Sequence, residues 1–199
     1  MTAYRTLADA CPHMARLIDQ HGELELGTET LDFHALAVNI LWQQLSGKAA
    51  RSIYNNLCAG LGVDPDRDRL DPNLLAQQTP ETLRPFGVSR QKAGYLLDLA
   101  ARSCSGQIHF ARLKDMSNEE IIAELTQVKG IGEWTVQMLL MFSLARPDIF
   151  PAKDLGIQNG LVKLLGLESR PKPKEMLAIS ERWAPYRSYA SLYLWKLVD

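Results

Sequence analysis

The chain has few cysteines and no long apolar run. Its three cysteines, Cys11, Cys58 and Cys104, are too widely spaced for a CxxC pair, a zinc knuckle or the four-cysteine set of an iron–sulfur cluster. No apolar stretch approaches the ~18 residues of a membrane span, and the N-terminus lacks the apolar segment of a signal peptide. These absences predict a soluble intracellular protein (cytoplasm or nucleoid in a bacterium, nucleus in a eukaryote) with no iron–sulfur cluster and no membrane partner.

The sequence also lacks the alternation of apolar and polar residues that predicts half-buried β-strands. Helix signals take its place. Asp71-Pro72 and Thr79-Pro80 each put a capping side chain before a proline, and Ser117 with Glu120 forms a capping box. Helices are predicted over about residues 31–45, 89–102, 134–144, 155–165, 174–183 and 185–197. The predicted fold class is therefore all-α.

A change in charge balance indicates two lobes. Acidic residues outnumber basic ones up to residue 145, whereas basic residues are in excess from residue 146 onward. The change coincides with Ala145-Arg146-Pro147-Asp148, where a long apolar helix ends. We expect two helical lobes with a cleft between them, one formed by residues 31–146 and the other by residues 1–30 with 147–199. The mildly basic second part permits contacts with DNA phosphates without requiring them.

The most informative motif is a glycine turn between two helices, Gly130-Ile131-Gly132 within residues 125–135. Glycine permits positive φ and leaves the backbone bare, so that a phosphate can approach closely. The helix that follows presents N–H groups and a positive dipole end to an anion. A tight turn in which glycine serves only as a helix C-cap is the alternative. The apolar residues Leu125, Val128 and Ile131 around the turn favour DNA binding.

Four segments together resemble one known family. They are residues 43–50 (QQLSGKAA), 125–135 (LTQVKGIGEWT), 150–156 (FPAKDLG) and 181–190 (ERWAPYRSYA). In this order they resemble the helix-hairpin-helix DNA glycosylases, and more closely the 3-methyladenine DNA glycosylase II branch. The resemblance implies a two-lobed helical fold with an interlobe cleft. It also implies removal of alkylated bases from DNA by base flipping, the first step of base excision repair.

Asp154 is the candidate catalytic residue. Its position before Leu155-Gly156 is typical of a helix N-cap, and local sequence alone favours that interpretation. By resemblance, the family's catalytic aspartate occupies this place, and one residue can serve both roles. Cleavage of an N-glycosidic bond develops positive charge on the sugar, which a carboxylate stabilises. Lys153 departs from the residues that some relatives carry, and we interpret it as exposed or as a phosphate contact.

Trp134 indicates which of the family's two chemistries applies. Relatives that also nick the strand have a lysine here as the Schiff-base nucleophile. Tryptophan at this position predicts a monofunctional glycosylase that leaves an abasic site. Two alternatives stay open: a non-catalytic helix-hairpin-helix DNA-binding protein, and a bifunctional glycosylase/lyase for oxidised bases.

Aromatic residues are the candidates for a base pocket, because a flipped cationic base is held well by π faces. By resemblance, Trp134 and Tyr186 line this pocket, Trp42 is a further candidate, and Met138 replaces a tyrosine of some relatives. Core packing is the alternative for each of them. We assign the two other tryptophans to the core: Trp183 and Trp195.

The remaining candidates contact DNA. By resemblance, Leu45 is the wedge that fills the gap left by the flipped base, although its spacing also fits an ordinary core leucine. Ser46 and Gly47 follow as a helix N-cap whose amides can meet a phosphate. The hairpin residues expected at the DNA are Lys129, Gly130, Gly132 and Thr135.

No cofactor is expected to be required. The family often holds a monovalent cation on hairpin carbonyls, which would be those of Thr126, Val128 and Ile131 in this chain. The expected partner is double-stranded DNA with a flipped damaged base, bound by a monomer. The four histidines are not spaced as a ligand pair, so no histidine metal site is expected.

Overall fold

A computed structural model describes residues 2–27 and 29–198, and all regular structure in these ranges is helical. None of the helices it describes is long and apolar enough to cross a membrane. The α-helices are α1 Ala3–Ala10, α2 Pro12–His21, α3 Phe33–Trp42, α4 Gly47–Leu61, α5 Pro72–Ala76, α6 Pro80–Leu83, α7 Arg90–Cys104, α8 Phe110–Leu113, α9 Asn118–Leu125, α10 Glu133–Phe142, α11 Leu155–Leu165, α12 Pro173–Ser180 and α13 Arg187–Lys196. Two short 3₁₀ helices cover Arg84–Phe86 and Glu181–Trp183. The all-α prediction is confirmed.

The predicted capping signals begin the helices as expected. The Asp71 carboxylate accepts a hydrogen bond from the Asn73 N–H at 2.7 Å, with Pro72 as the first residue of α5. The Ser117 hydroxyl accepts from the Glu120 N–H at 3.2 Å, while the Glu120 carboxylate accepts from the Ser117 N–H at 2.8 Å. Each cap uses an N–H group that the first turn of a helix leaves without an intrahelical acceptor. Hydrogen bonds between residues close together in the sequence therefore determine where these helices begin.

The chain divides into two compact units. We call Thr30–Val136 the hairpin unit, and Met1–Glu29 with Gln137–Asp199 the Asp154 unit. Their second boundary falls within α10, whereas the predicted boundary followed residue 146.

In the hairpin unit α7 is the central helix. It packs against α3, α5 and α6, and α3 also packs against α4. The side chains that α7 buries are Ala93, Leu96, Leu99 and Ala100. Their helical spacing gives α7 one apolar face toward the core, which leaves its other faces for polar contacts.

In the Asp154 unit α11 packs against α13, and α1 packs against α2. The buried core includes Trp183, Tyr193 and Leu161, each with no exposed surface. Gly160 lets α11 and α13 approach closely, because an added Cβ would lie 2.3 Å from the Leu194 carbonyl oxygen. This close approach brings the start of α11 near side chains of α13.

Candidate functional site

The glycine turn joins α9 to α10 through residues 126–132, which we call the hairpin loop. The Val128 N–H donates to the Leu125 carbonyl at 3.1 Å, and the Ile131 N–H donates to the Val128 carbonyl at 3.1 Å. Val128 and Ile131 are buried, so their side chains anchor the loop to the unit. The helix cap after α9 is Thr126, in right-handed conformation, and not a glycine. The glycines therefore shape the second half of the loop and do not simply end α9.

The two hairpin glycines have different surroundings. Gly130 has φ of 83°, and a Cβ added there would lie 2.2 Å from the Tyr95 ring. A Cβ added at Gly132 would meet nothing within 4 Å. Gly130 is thus required by backbone conformation and packing. Gly132 faces open space beside the start of α10, where the dipole end of the helix favours an anion.

Asp98 of α7 is hydrogen-bonded to the backbone of the hairpin loop. Its Oδ2 accepts a hydrogen bond from the Lys129 N–H at 3.0 Å and another from Arg102 Nε at 3.0 Å. Burial by itself raises the pKa of the Asp98 carboxyl, but these hydrogen bonds and the neighbouring charges outweigh burial and hold that pKa below its ordinary value. The Lys129 ammonium lies 3.8 Å from Asp98 Oδ1 and is largely exposed. Asp98 was not predicted from sequence.

A second exposed turn connects α3 to α4 through residues 43–46, which we call the wedge turn. Gln44 adopts a left-handed conformation with φ of 57°, and the Leu45 residue that follows is 38% exposed. The Ser46 hydroxyl accepts from the Ala49 N–H at 3.4 Å, so Ser46 caps α4 and Gly47 is its first residue, as expected. Because Leu45 lies at the surface, the interpretation as an ordinary core leucine is wrong.

A surface pocket of the hairpin unit brings two predicted aromatic residues together. Trp42 and Trp134 both line it, and the other lining residues are Asn39, Gln43, Gln44 and Thr135. Trp134 is 46% exposed, which is unusual for so large an apolar side chain. Thr135 is only 7% exposed, so its side chain offers little surface to a large ligand. Asn39 was missed because nothing in its local sequence distinguishes it from a surface residue of α3.

The Asp154 carboxylate caps α11. Its Oδ1 accepts a hydrogen bond from the Ile157 N–H at 2.8 Å and a second from the Trp195 indole Nε1–H at 2.9 Å. The Asp154 side chain is half-buried. The predicted N-cap is confirmed, and two donors on one oxygen fix the direction of the carboxylate.

Trp195 was assigned to the core, and the structure adds a polar role. Its ring packs against the core of the Asp154 unit and stacks on Phe142, with centroids 5.9 Å apart. A Cβ at Gly156 would lie 2.7 Å from Trp195 Cδ1 and 3.1 Å from Asp154 Oδ1. Glycine at 156 therefore leaves the room that the indole needs to reach the carboxylate.

The loop before Asp154 is tied to the start of α13. The Arg187 guanidinium makes a two-point contact with Asp148, at 2.7 Å from Nε to Oδ1 and 2.8 Å from its second nitrogen to Oδ2. The buried Ser188 hydroxyl accepts from the Ile149 N–H at 2.8 Å and donates to the Arg146 carbonyl at 2.6 Å. In the segment 181–190, these two residues thus support the loop that leads to Asp154.

The other predicted residues of the Asp154 unit have simple placements. Tyr186 is half-buried, packs against the core of the unit and forms an edge contact with Tyr189, with centroids 6.2 Å apart. Met138 is half-buried on α10, and Lys153 is exposed. Their expected contacts with a base or a phosphate stay predictions.

Comparison with known proteins identifies a family. A profile described as HhH-GPD superfamily base excision DNA repair protein matches residues 37–185. DNA-3-methyladenine glycosylase 1 of Schizosaccharomyces pombe is 41% identical over 155 residues, covering 77% of this chain and 67% of the relative. DNA-3-methyladenine glycosylase of Saccharomyces cerevisiae is 32% identical over 202 residues, covering 84% and 67%. The chain spans about two thirds of the length of these curated relatives.

Two solved structures are similar along almost the whole chain. The crystal structure of a DNA-3-methyladenine glycosidase from Bacillus halodurans has a TM-score of 0.88 at 34% identity, covering 100% of this chain and 90% of that one. The 3-methyladenine DNA glycosylase Mag1 of S. pombe, in complex with abasic DNA, has a TM-score of 0.81 at 34% identity, covering 98% and 96%.

Proposed function

This chain belongs to the HhH-GPD superfamily of base excision DNA repair proteins, and we propose that it is a monofunctional DNA glycosylase of the 3-methyladenine type. In this role it hydrolyses the N-glycosidic bond of alkylated bases in double-stranded DNA and leaves an abasic site. The observation that carries the proposal is the Asp154 carboxylate, fixed by two donors at the start of α11 in a chain similar to named 3-methyladenine glycosylases.

The chemistry assigned to Asp154 is electrostatic. As the bond between sugar and base breaks, the bonding electrons leave with the base and positive charge develops on the sugar. A carboxylate held in a fixed direction stabilises that charge without having to reorganise. An alkylated purine that carries a positive charge leaves as a neutral base, so no general acid is needed. Water then adds to the sugar and loses a proton, which completes the hydrolysis.

Monofunctional chemistry is supported by Trp134. A strand-nicking relative needs an amine at this position to form a Schiff base with the sugar, and an indole cannot supply one. The exposed Lys153 is the amine next to Asp154 in sequence, and a reductive trapping experiment tests whether it takes part.

DNA binding is assigned to the hairpin unit. The bare backbone at Gly132, the start of α10 and the exposed Lys129 suit a phosphate, and the exposed Leu45 suits a wedge that replaces a flipped base. The pocket between Trp42 and Trp134 has a volume of about 470 Å³ and offers two indoles to a cationic base, with the Asn39 carboxamide available for its polar edge. We expect the protein to act as a monomer.

The hairpin carbonyls are suited to a monovalent cation. The carbonyl oxygens of Thr126, Val128 and Ile131 are neutral ligands, which favours a singly charged ion of the sodium or potassium type. The Val128 oxygen accepts one hydrogen bond, from Ile131, and a carbonyl has a second lone pair. Bound there, the ion would add positive charge beside the DNA backbone and take no part in bond cleavage.

The proposed function is tested by analysing the products from DNA treated with a methylating agent. We expect free 3-methyladenine or another alkylated base, together with intact strands that carry abasic sites. Treatment with borohydride during the reaction should trap no covalent enzyme–DNA adduct. A trapped adduct would contradict monofunctional chemistry, and DNA binding without release of any base would contradict glycosylase activity.

A further inference from the structure

One side chain links the wedge turn to the hairpin loop. The Gln43 carboxamide Nε2 donates a hydrogen bond of 2.9 Å to the carbonyl oxygen of Gly130. The two residues are 87 positions apart in the sequence, so this contact forms only in the folded hairpin unit. It joins the turn that carries Leu45 to the loop that carries Gly132.

The backbone at the start of the wedge turn is also hydrogen-bonded to a side chain of α7. The Lys92 ammonium donates to the Leu41 carbonyl at 2.6 Å and to the Gln43 carbonyl at 2.8 Å. These carbonyls lie at the end of α3, where a helix leaves its last acceptors without partners. The Lys92 side chain is half-buried, and this burial lowers the pKa of its ammonium.

The same helix supports the hairpin loop. Tyr95 lies one turn after Lys92 and packs against Gly130, and Asp98 one turn further accepts from the Lys129 N–H. Residues 92, 95 and 98 follow helical spacing and lie on one side of α7. One rigid helix therefore supports both turns, and the Gln43 carboxamide closes the connection between them.

We propose that Gln43 is a positioning residue for base flipping, whose contact with Gly130 fixes the wedge turn in register with the hairpin loop. This inference rests on the proposed function, in which the hairpin loop holds a phosphate while Leu45 enters the base stack. Insertion of Leu45 requires the neighbouring bases to unstack, which costs free energy. When the spacing between the bound phosphate and Leu45 is fixed, part of the free energy of phosphate binding offsets this cost. Without the contact, DNA still binds and the flipping step slows.

The test compares Gln43→Met with Gln77→Met under single-turnover conditions at saturating enzyme. Methionine keeps the length of glutamine and removes the donor without adding charge. Gln77 is the matched control, because its exposed side chain makes no hydrogen bond within the described residues and lies at the end of α5, outside both turns and outside the pocket of Trp42 and Trp134. The substrate carries one alkylated purine that the wild-type enzyme releases, placed opposite its pairing base or opposite an abasic-site analogue that makes flipping easier.

We expect Gln43→Met to release the paired base about tenfold more slowly than wild type, a factor equivalent to ~1.4 kcal/mol of barrier. Opposite the abasic-site analogue its rate should return to within about twofold of wild type, whereas Gln77→Met should match wild type on both substrates. Leu45→Ala should show the same rescue as Gln43→Met.

Three results would overturn the inference. The first is release of the paired base by Gln43→Met at the wild-type rate. The second is a rate of base release by Gln43→Met that falls by the same factor on both substrates, which would indicate a defect outside flipping. The third is release of the paired base by Leu45→Ala at the wild-type rate, which would show that Leu45 is not the wedge on which the inference depends. A wild-type enzyme that releases no base from either substrate would instead overturn the proposed function itself. Thermal unfolding of each variant separates loss of folding from all of these.

Discussion

The indole Nε1–H of Trp195 donates a 2.9 Å hydrogen bond to Oδ1 of Asp154, the same oxygen that accepts from the Ile157 N–H at 2.8 Å. One donor belongs to the helix that Asp154 caps, and the other comes from α13, 41 residues away in sequence. The backbone donor ties the carboxylate to the first turn of α11. The indole donor ties the same oxygen to α13, so α13 helps to set the direction in which the carboxylate faces.

Trp195→Phe is therefore expected to slow base release without weakening DNA binding. Phenylalanine keeps an aromatic ring beside Phe142 but removes the N–H group. Loss of one hydrogen bond to a charged group should reduce the single-turnover rate by about tenfold, with little change in affinity for DNA that contains an abasic-site analogue. Rate and affinity are measured on the same variant.

Trp183→Phe is the matched control, because the Trp183 Nε1 has no hydrogen-bond partner within the described residues. It removes similar volume from the same unit and should lower stability while leaving the rate per folded molecule unchanged. Equal loss of rate in both variants would show that the indole N–H of Trp195 has no special role.

The two hairpin glycines should respond differently to alanine. Gly130→Ala introduces a Cβ that meets the Tyr95 ring at a φ of 83°, so we expect a loss of stability of about 2 kcal/mol. Gly132→Ala adds a methyl group to open space and should fold normally, yet lower affinity for any DNA sequence because a phosphate can no longer approach as closely.

Urea unfolding and DNA titrations measure these two effects separately. Wild-type affinity in a normally folded Gly132→Ala protein would argue against the Gly132 backbone as a phosphate contact. Wild-type stability of Gly130→Ala would argue against the role of the Tyr95 contact.

Ser188→Ala is expected to destabilise the Asp154 unit by about 2 kcal/mol. The variant leaves the Ile149 N–H and the Arg146 carbonyl without the buried hydroxyl that now serves both. Ser191→Ala on the same helix is the control, because the buried Ser191 hydroxyl donates to the Arg187 carbonyl one turn back and bonds to no other described residue. We expect Ser191→Ala to cost less than half as much. Similar costs for the two variants would contradict the proposed support of the loop before Asp154.

Asp98 should make the stability of the protein depend on pH. Its folded-state pKa lies below the ordinary value, so its stabilising contribution is present above the unfolded-state pKa of about 3.9 and is lost as the pH falls through the folded-state pKa. Asp98→Asn should therefore be less stable than wild type at pH 6, and the difference should shrink below about pH 4. Unfolding free energies measured between pH 3 and 7 test this, and a difference independent of pH would contradict it.

Much of the fold follows from local sequence signals. The predicted helix over 155–165 agrees with the observed bounds of α11, because Asp154 caps its start and Gly166 ends it in a left-handed conformation. The predicted helix over 185–197 begins two residues later in the structure, at Arg187, and ends at Lys196. Local capping and periodicity act within one or two turns, and that is the range over which sequence predicts well.

The missed parts of the site depend on contacts that are distant in sequence. Trp195 has the composition of a core residue, and only the packing of α11 on α13 brings its N–H to Asp154. Gln43 reaches Gly130 in the same way, through the common support of α7. No local pattern encodes such a partner, because it depends on how two helices pack.

The most direct test of the central claim is release of alkylated bases by Asp154→Asn. Asparagine is a good N-cap and can accept both hydrogen bonds, so the variant should fold and should bind DNA with an abasic-site analogue as wild type does. We predict that its single-turnover rate on methylated duplex DNA falls by at least about 100-fold, because a neutral amide cannot stabilise the charge on the sugar. A rate equal to that of the wild type would show that Asp154 is a helix cap and not the catalytic carboxylate.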